Sequence, residues 1–122
     1  VPSAEIVVGI GLRPRTSART IRAALHEGVG DHRIVCLATI TRRSAEPGLR
    51  AVAADLRVPL RSYSADELAA VTVPNPGDRT RAAIGTASVA EAAALLAAEG
   101  GPLVLSKCVV HGVVLAAALY ER

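Results

Sequence analysis

The run Ile6-Val7-Val8-Gly9-Ile10 constrains the fold more than any other part of the chain. It is short, rich in β-branched residues and free of polar side chains, as expected of a strand covered on both faces. Such a strand needs helices above and below it, which points to an α/β domain. Gly11 and Leu12 lead into Arg13-Pro14-Arg15-Thr16-Ser17, where Thr16 or Ser17 can accept hydrogen bonds from the first free N–H groups of a following helix. A strand end therefore meets a helix start. Ligands of open α/β sheets collect outside the carboxyl ends of strands, and helix N-termini there favour negative charge. Arg13 and Arg15 add permanently charged, planar donors, so the expected ligand is anionic.

The rest of the chain repeats this alternation. Ala18, Ile21 and Leu25 recur at helical spacing before Gly28 and Gly30. Arg33 to Ile40 is a second apolar run, and Thr41-Arg42-Arg43-Ser44-Ala45-Glu46 precedes a helix starting near Pro47 with Leu49, Val52, Ala53 and Leu56 on one face. Pro59 to Tyr63 reads as a third strand, and Ser64-Ala65-Asp66-Glu67 as a capping box for a helix to about Ala70. In Val73-Pro74-Asn75-Pro76-Gly77 the two prolines exclude a helix and make a stiff loop, and a helical turn follows over Arg79 to Ile84. Gly85-Thr86-Ala87 then precedes a second capping box, Ser88 to Glu91, opening a helix that buries Val89, Ala92, Ala93 and Leu96 and ends at Gly100-Gly101. Leu103 to Ser106 and Val113 to Leu119 are the last strands, and the link from Lys107 to Gly112 is too short for a helical crossover, so they pair antiparallel. The expectation is one domain over residues 1–122: a three-layer α/β/α fold with a mixed, mostly parallel sheet of about five strands.

Composition removes several function classes. Hydrophobic residues make up 51% of the chain, yet Tyr63 and Tyr120 are its only aromatics, so the core is aliphatic and base stacking is not expected. The net charge of +3 is interspersed and forms no basic run, which does not indicate nucleic acid. No apolar stretch reaches the roughly 18 residues of a membrane span, and the first residues lack signal-peptide character, so a cytoplasmic protein is expected. Cys36 in an apolar run and Cys108 in a late loop read as ordinary thiols. Neither a metal set nor a cofactor is indicated. Gly9-Ile10-Gly11 is not a dinucleotide fingerprint, because Pro14 stands where the third glycine belongs and Thr39 and Thr41 stand where an acid belongs. Ser17, Ser44, Ser64 and Ser88 read as helix caps, and His111 shows no partner carboxylate at a recognisable spacing. Arg13, Arg15, Arg19, Arg42, Arg43 and Lys107 all fall near strand carboxyl ends, and together they form an expected rim for several carboxylates.

The ordered set Gly9-Ile10-Gly11, Arg13, Thr16-Ser17, Glu46-Pro47-Gly48-Leu49, Val73-Pro74-Asn75-Pro76, Gly85-Thr86 and Ser88-Val89-Ala90-Glu91-Ala92-Ala93 resembles the CobE family of cobalamin biosynthesis, which is also the C-terminal domain of CbiG. The resemblance runs from Val7 to about Ala118. It implies an α/β/α fold, a corrin or precorrin intermediate as ligand, and other cobalamin-pathway enzymes, such as precorrin methyltransferases, as partners. Carried onto this chain, the ligand-binding set is Gly9, Gly11, Arg13, Arg15, Thr16, Ser17, Arg43, Glu46, Asn75, Gly85, Thr86 and Lys107. Longer relatives open a δ-lactone of the macrocycle and release acetaldehyde. An enzyme of that kind would use Glu46 to activate water and Arg43 or Lys107 to steady the oxyanion. The chain departs from the family's pattern with Leu12 in place of a frequent cysteine and Thr41 and Ala45 in place of acids, which weighs against a retained acid in the second loop. The leading expectation is therefore a protein that binds a polycarboxylate precorrin, with lactone hydrolysis as the alternative. A phosphate or nucleotide module, suggested by the first loop alone, comes third.

Overall fold

The computed structural model describes residues 5–30, 32–69, 86–99 and 101–120. The Val73-Pro74-Asn75-Pro76 loop, the turn over Arg79 to Ile84, Gly85 and Gly100 lie outside them. In chain order the elements are β1 (Glu5–Gly11), α1 (Ala18–Val29), β2 (Arg33–Ile40), a 3-10 turn (Thr41–Arg43), α2 (Pro47–Leu56), β3 (Leu60–Tyr63), α3 (Ala65–Ala69), α4 (Thr86–Ala98), β4 (Leu103–Val110) and β5 (Val113–Leu119).

Among the described residues the sheet has five strands in the order β3-β2-β1-β5-β4. β1 pairs in parallel with β2, and β2 with β3, whereas β5 lies antiparallel to both β1 and β4. Only β5 therefore runs against the others, and the sheet is mixed and mostly parallel in strand direction, as the sequence implies. The carboxyl ends of β1, β2, β3 and β4 share one edge with the start of β5.

Alternation along β1 sorts the core into two layers. Ile6, Val8, Ile10 and Leu12 join Ile21, Leu25, Leu49 and Val52 of α1 and α2 on one face. Val7 joins Cys36, Ala38 and Ile40 on the other, under α4 and Leu68 of α3. The α4 side is built from Ala92, Ala93, Ala94, Ala97 and Ala98, small enough to let that helix lie against the sheet backbone. A Cβ on Gly9 would sit 1.9 Å from the Ala90 carbonyl oxygen, so glycine is what permits this approach. Ala90 clusters with Val114 and Ala116, and Ala98 with Val7 and Ala118, so α4 starts at the carboxyl edge and runs down the sheet.

Four sequence expectations change. Leu56 is 40% exposed and does not share the buried face of Leu49, Val52 and Ala53, because the chain leaves the helix at once through Arg57 in a left-handed turn. Ser44 does not cap α2: it donates to the Thr41 carbonyl at 2.7 Å and closes the 3-10 turn, and Glu46 occupies the cap position. The helix expected to open at Ser88 starts two residues earlier, α4 running from Thr86. Finally, β4 continues to Val110, so Lys107 and Cys108 belong to a strand and the link to β5 is the tight turn His111-Gly112. Both turn residues have positive φ, 51° and 80°, as a two-residue hairpin turn requires. The other two serines behave as read. Ser17 accepts from the Thr20 N–H at 3.1 Å, and Ser64 and Glu67 form the reciprocal capping box at 2.8 and 3.1 Å.

Candidate functional site

The loops after β1 and β2 are built against each other at the carboxyl edge of the sheet. Arg15 adopts a left-handed backbone, φ 66°, which turns its N–H toward α2, where the Glu46 carboxylate accepts it at 2.9 Å. Arg43 donates from Nε to the Leu12 carbonyl at 3.1 Å. Thr16 donates to the Arg13 carbonyl at 2.7 Å and tightens the first loop on itself. The first turn of α2 passes so close that a Cβ on Gly48 would lie 2.3 Å from the Thr16 carbonyl oxygen. Below them, buried Thr39 donates to the Ile10 carbonyl at 2.9 Å and ties the upper ends of β1 and β2.

Arg13 and Arg15 in the first loop, Arg42 in the second and Arg19 in the first turn of α1 are exposed, and Arg43 is half-buried. Guanidinium groups on a fixed backbone lose less freedom on gripping a carboxylate than groups on a loose loop. The structure thus brings Arg13, Arg15, Thr16, Ser17, Arg43 and Glu46 together. Gly9 and Gly11 are buried in β1, Gly9 directly under α4. Lys107 stands on β4 at the far side of the sheet, exposed. Thr86 begins α4, and Asn75 and Gly85 lie outside the described residues.

Two contacts escaped the sequence. His111 Nε2 lies 2.6 Å from a Glu27 carboxylate oxygen, so the hairpin tip is tied to α1, and a separation of 84 residues hides the pair from any local pattern. Glu91, read as part of a capping box, is 1% exposed and accepts the Lys107 N–H at 3.0 Å. Among the described residues, two hollows have no first-loop residue in their lining. One of about 400 Å³ is lined by Leu25, Val29, Ile34 and Leu56 with Arg22, His26 and His32. Another, of about 360 Å³, opens beside Ser44, Arg50 and Ser62. Among the described residues no cluster of three or more His, Cys, Asp or Glu suits a metal ion, and no helix is long and apolar enough to cross a membrane.

The family model for the cobalamin synthesis G C-terminus matches residues 6–118. The chain belongs to this family. Its structure is similar to the crystal structure of CobE, a protein from the cobalamin (vitamin B12) biosynthetic pathway, with 31% identity and a TM-score of 0.80 over 94% of this chain and 93% of that one. It is also similar to the cobalamin biosynthesis protein chiG from Agrobacterium tumefaciens str. C58, at 30% identity and a TM-score of 0.66, covering 96% and 99% of the two chains. A putative cobalamin biosynthesis protein G homolog from Sulfolobus solfataricus shares the fold at 24% identity and a TM-score of 0.74, with 97% of this chain matching 37% of that longer one. No curated protein sequence matches significantly. The chain is a cobalamin biosynthesis protein of the CobE and CbiG type, as its ordered motifs imply.

Burial holds both thiols toward the protonated form. Burial pushes Cys36 above its ordinary value of 9.0, only partly opposed by the Arg61 guanidinium, and burial likewise raises Cys108. The unfolded chain releases these protons at lower pH than the folded one, so above that value the folded state binds more protons and stability falls as pH rises. Stability is fully retained below the ordinary thiol value and declines from there upward. Urea midpoints of the parent measured from pH 7 to pH 10.5 are expected to fall more steeply than those of Cys36→Ala, and equal slopes would show that this thiol carries none of the dependence.

Proposed function

We propose that the protein binds a polycarboxylate precorrin or related corrin-pathway intermediate at the carboxyl edge of its sheet, with Arg13, Arg15 and Arg43 holding the carboxylate fringe. The observation that carries this reading is the mutual bracing of the first two loops, in which Arg43 reaches the Leu12 carbonyl and Glu46 holds the Arg15 N–H. It holds the backbone of the loops that carry exposed Arg13, Arg15 and Arg42, which supports reading them as a cationic rim. Charge-assisted hydrogen bonds that a ligand partly desolvates contribute about 1.5 to 3 kcal/mol each, which makes the arginines the main source of affinity in this reading. With so few aromatic side chains, orientation falls to the carboxylates and not to stacking on the macrocycle. The Glu46 carboxylate already accepts the Arg15 N–H, a structural duty that favours binding over activation of water.

Incubation with the lactone-bearing precorrin, followed by absorbance and by an acetaldehyde assay, tests the proposal. The expected result is a saturable spectral shift without acetaldehyde above the uncatalysed rate. Acetaldehyde release at many turnovers would replace binding by lactone hydrolysis, and neither a shift nor a product at millimolar protein would remove the corrinoid ligand altogether.

A further inference from the structure

The edge strand β4 loses its regular pairing twice. Leu103 lies opposite Ala118, Leu105 opposite Ala117 and Cys108 opposite Leu115, so between the last two pairs β4 uses one residue more than β5. The side chains record the same insertion. Leu105, Cys108 and Val110 all pack against the α1 and α2 layer, although Leu105 and Cys108 are three residues apart and would face opposite sides of a regular strand. In an unbroken strand the residue two beyond Leu105 would enter that layer. That residue is Lys107, the only lysine in the chain. The bulge gives the inward position to Cys108 and leaves Lys107 exposed.

A bulge takes a backbone N–H out of the ladder, and that donor needs a partner. Glu91 supplies one from the second turn of α4, its carboxylate accepting the Lys107 N–H at 3.0 Å while only 1% exposed. Burying a carboxylate is costly unless hydrogen bonds hold it, and an alanine, like those on either side of Glu91 along α4, would pack there without that cost. The protein instead keeps a buried acid whose bond fixes the backbone of its one lysine. We propose that Glu91 is a positioning residue for Lys107, and that Lys107 is a further cation for the anionic ligand, presented from β4 across the sheet from the arginine rim. This rests on the polycarboxylate reading above and names the residue that sets where one of its charges stands.

The test uses uroporphyrin, a fluorescent tetrapyrrole octacarboxylate, as the probe. Lys107→Ala is expected to weaken binding about fivefold to tenfold, roughly 1 to 1.4 kcal/mol, with an unchanged melting temperature because the side chain is exposed. Glu91→Gln keeps an oxygen acceptor of the same reach and should bind the probe nearly as the parent does. Glu91→Asp keeps the charge but falls one methylene short of the Lys107 N–H, and should weaken binding about as much as Lys107→Ala. The double variant Glu91→Asp/Lys107→Ala should be no weaker than either single one, since both changes remove one interaction. Amine acetylation read by mass spectrometry adds a direct signal, because the chain has a single lysine: the probe should protect Lys107 in the parent and in Glu91→Gln but not in Glu91→Asp. Additive losses, or equal protection in all three proteins, would overturn the positioning role. If Arg13→Ala weakens probe binding and Lys107→Ala does not, the inference fails and the polycarboxylate reading stands. If neither does, the reading itself fails.

Discussion

Gly9→Ala is expected to destabilise the protein by about 3 kcal/mol, at the upper end of what overpacking a well-filled interior costs. The added methyl would meet the Ala90 carbonyl oxygen at 1.9 Å and the Ala94 backbone nitrogen at 2.9 Å. Both are helix backbone, so no rotamer change relieves the collision and α4 must lift from the sheet, opening the alanine layer over Val7, Ala38 and Ala118. Gly28→Ala is the informative contrast. Its methyl would meet Leu115 Cδ1 at 2.6 Å, the far end of a flexible side chain that can turn away. That variant should lose under about 1 kcal/mol, with part of the strain offset by the helix preference of alanine over glycine. Urea denaturation of the two variants checks the pair. A Gly9→Ala midpoint equal to the parent's would mean that α4 is not packed as described.

The second large effect concerns the rim. Arg13→Ala should weaken binding of the polycarboxylate ligand by tenfold or more, since about 1.4 kcal/mol corresponds to a factor of ten and one charge-assisted bond contributes at least that much. Arg13 is exposed, so the loss should shrink as salt rises through the range where the Debye length falls to about 8 Å and below. Arg13→Lys should restore only part of the affinity, because an ammonium keeps the charge without the two-pronged donor. Arg43→Ala should differ in kind. Arg43 Nε holds the Leu12 carbonyl, so that variant should lose thermal stability along with affinity, whereas Arg13→Ala should melt like the parent. Titrations at low salt in which Arg13→Ala matches the parent would reduce the rim to a solvated surface.

The lysine and the arginine rim show where local reasoning works and where it stops. Arg13, Arg15 and Arg43 were legible as a group because each follows directly from the end of a parallel strand, and right-handed strand-helix units put all such ends on one side. Local pattern puts Lys107 in a loop because Ser106-Lys107 interrupts the apolar residues on either side and His111-Gly112 signals a turn soon after. A bulge carries no composition signal of its own, and the acid that accepts the Lys107 N–H, Glu91, lies sixteen residues earlier. The same limit applies to Ser88 and Glu91, whose spacing satisfies the capping pattern although the helix starts earlier and the acid turns to β4.

By itself, then, the sequence determined the local rules: the doubly covered β1, the helices at Ala18 and Pro47, the capping box at Ser64, the antiparallel final pair, the aliphatic core and the cationic strand ends. These follow from periodicity, caps and charge, which act within a turn or two of helix or a few residues of strand. Only the tertiary structure decided which buried groups meet. It set Gly9 beneath Ala90, Gly48 against Thr16, Arg43 on the Leu12 carbonyl, His111 beside Glu27 and Glu91 behind Lys107. Each of these contacts joins residues distant in sequence that tertiary packing brings together, where a few tenths of an ångström decide between contact and collision, and no pattern along the chain encodes that distance.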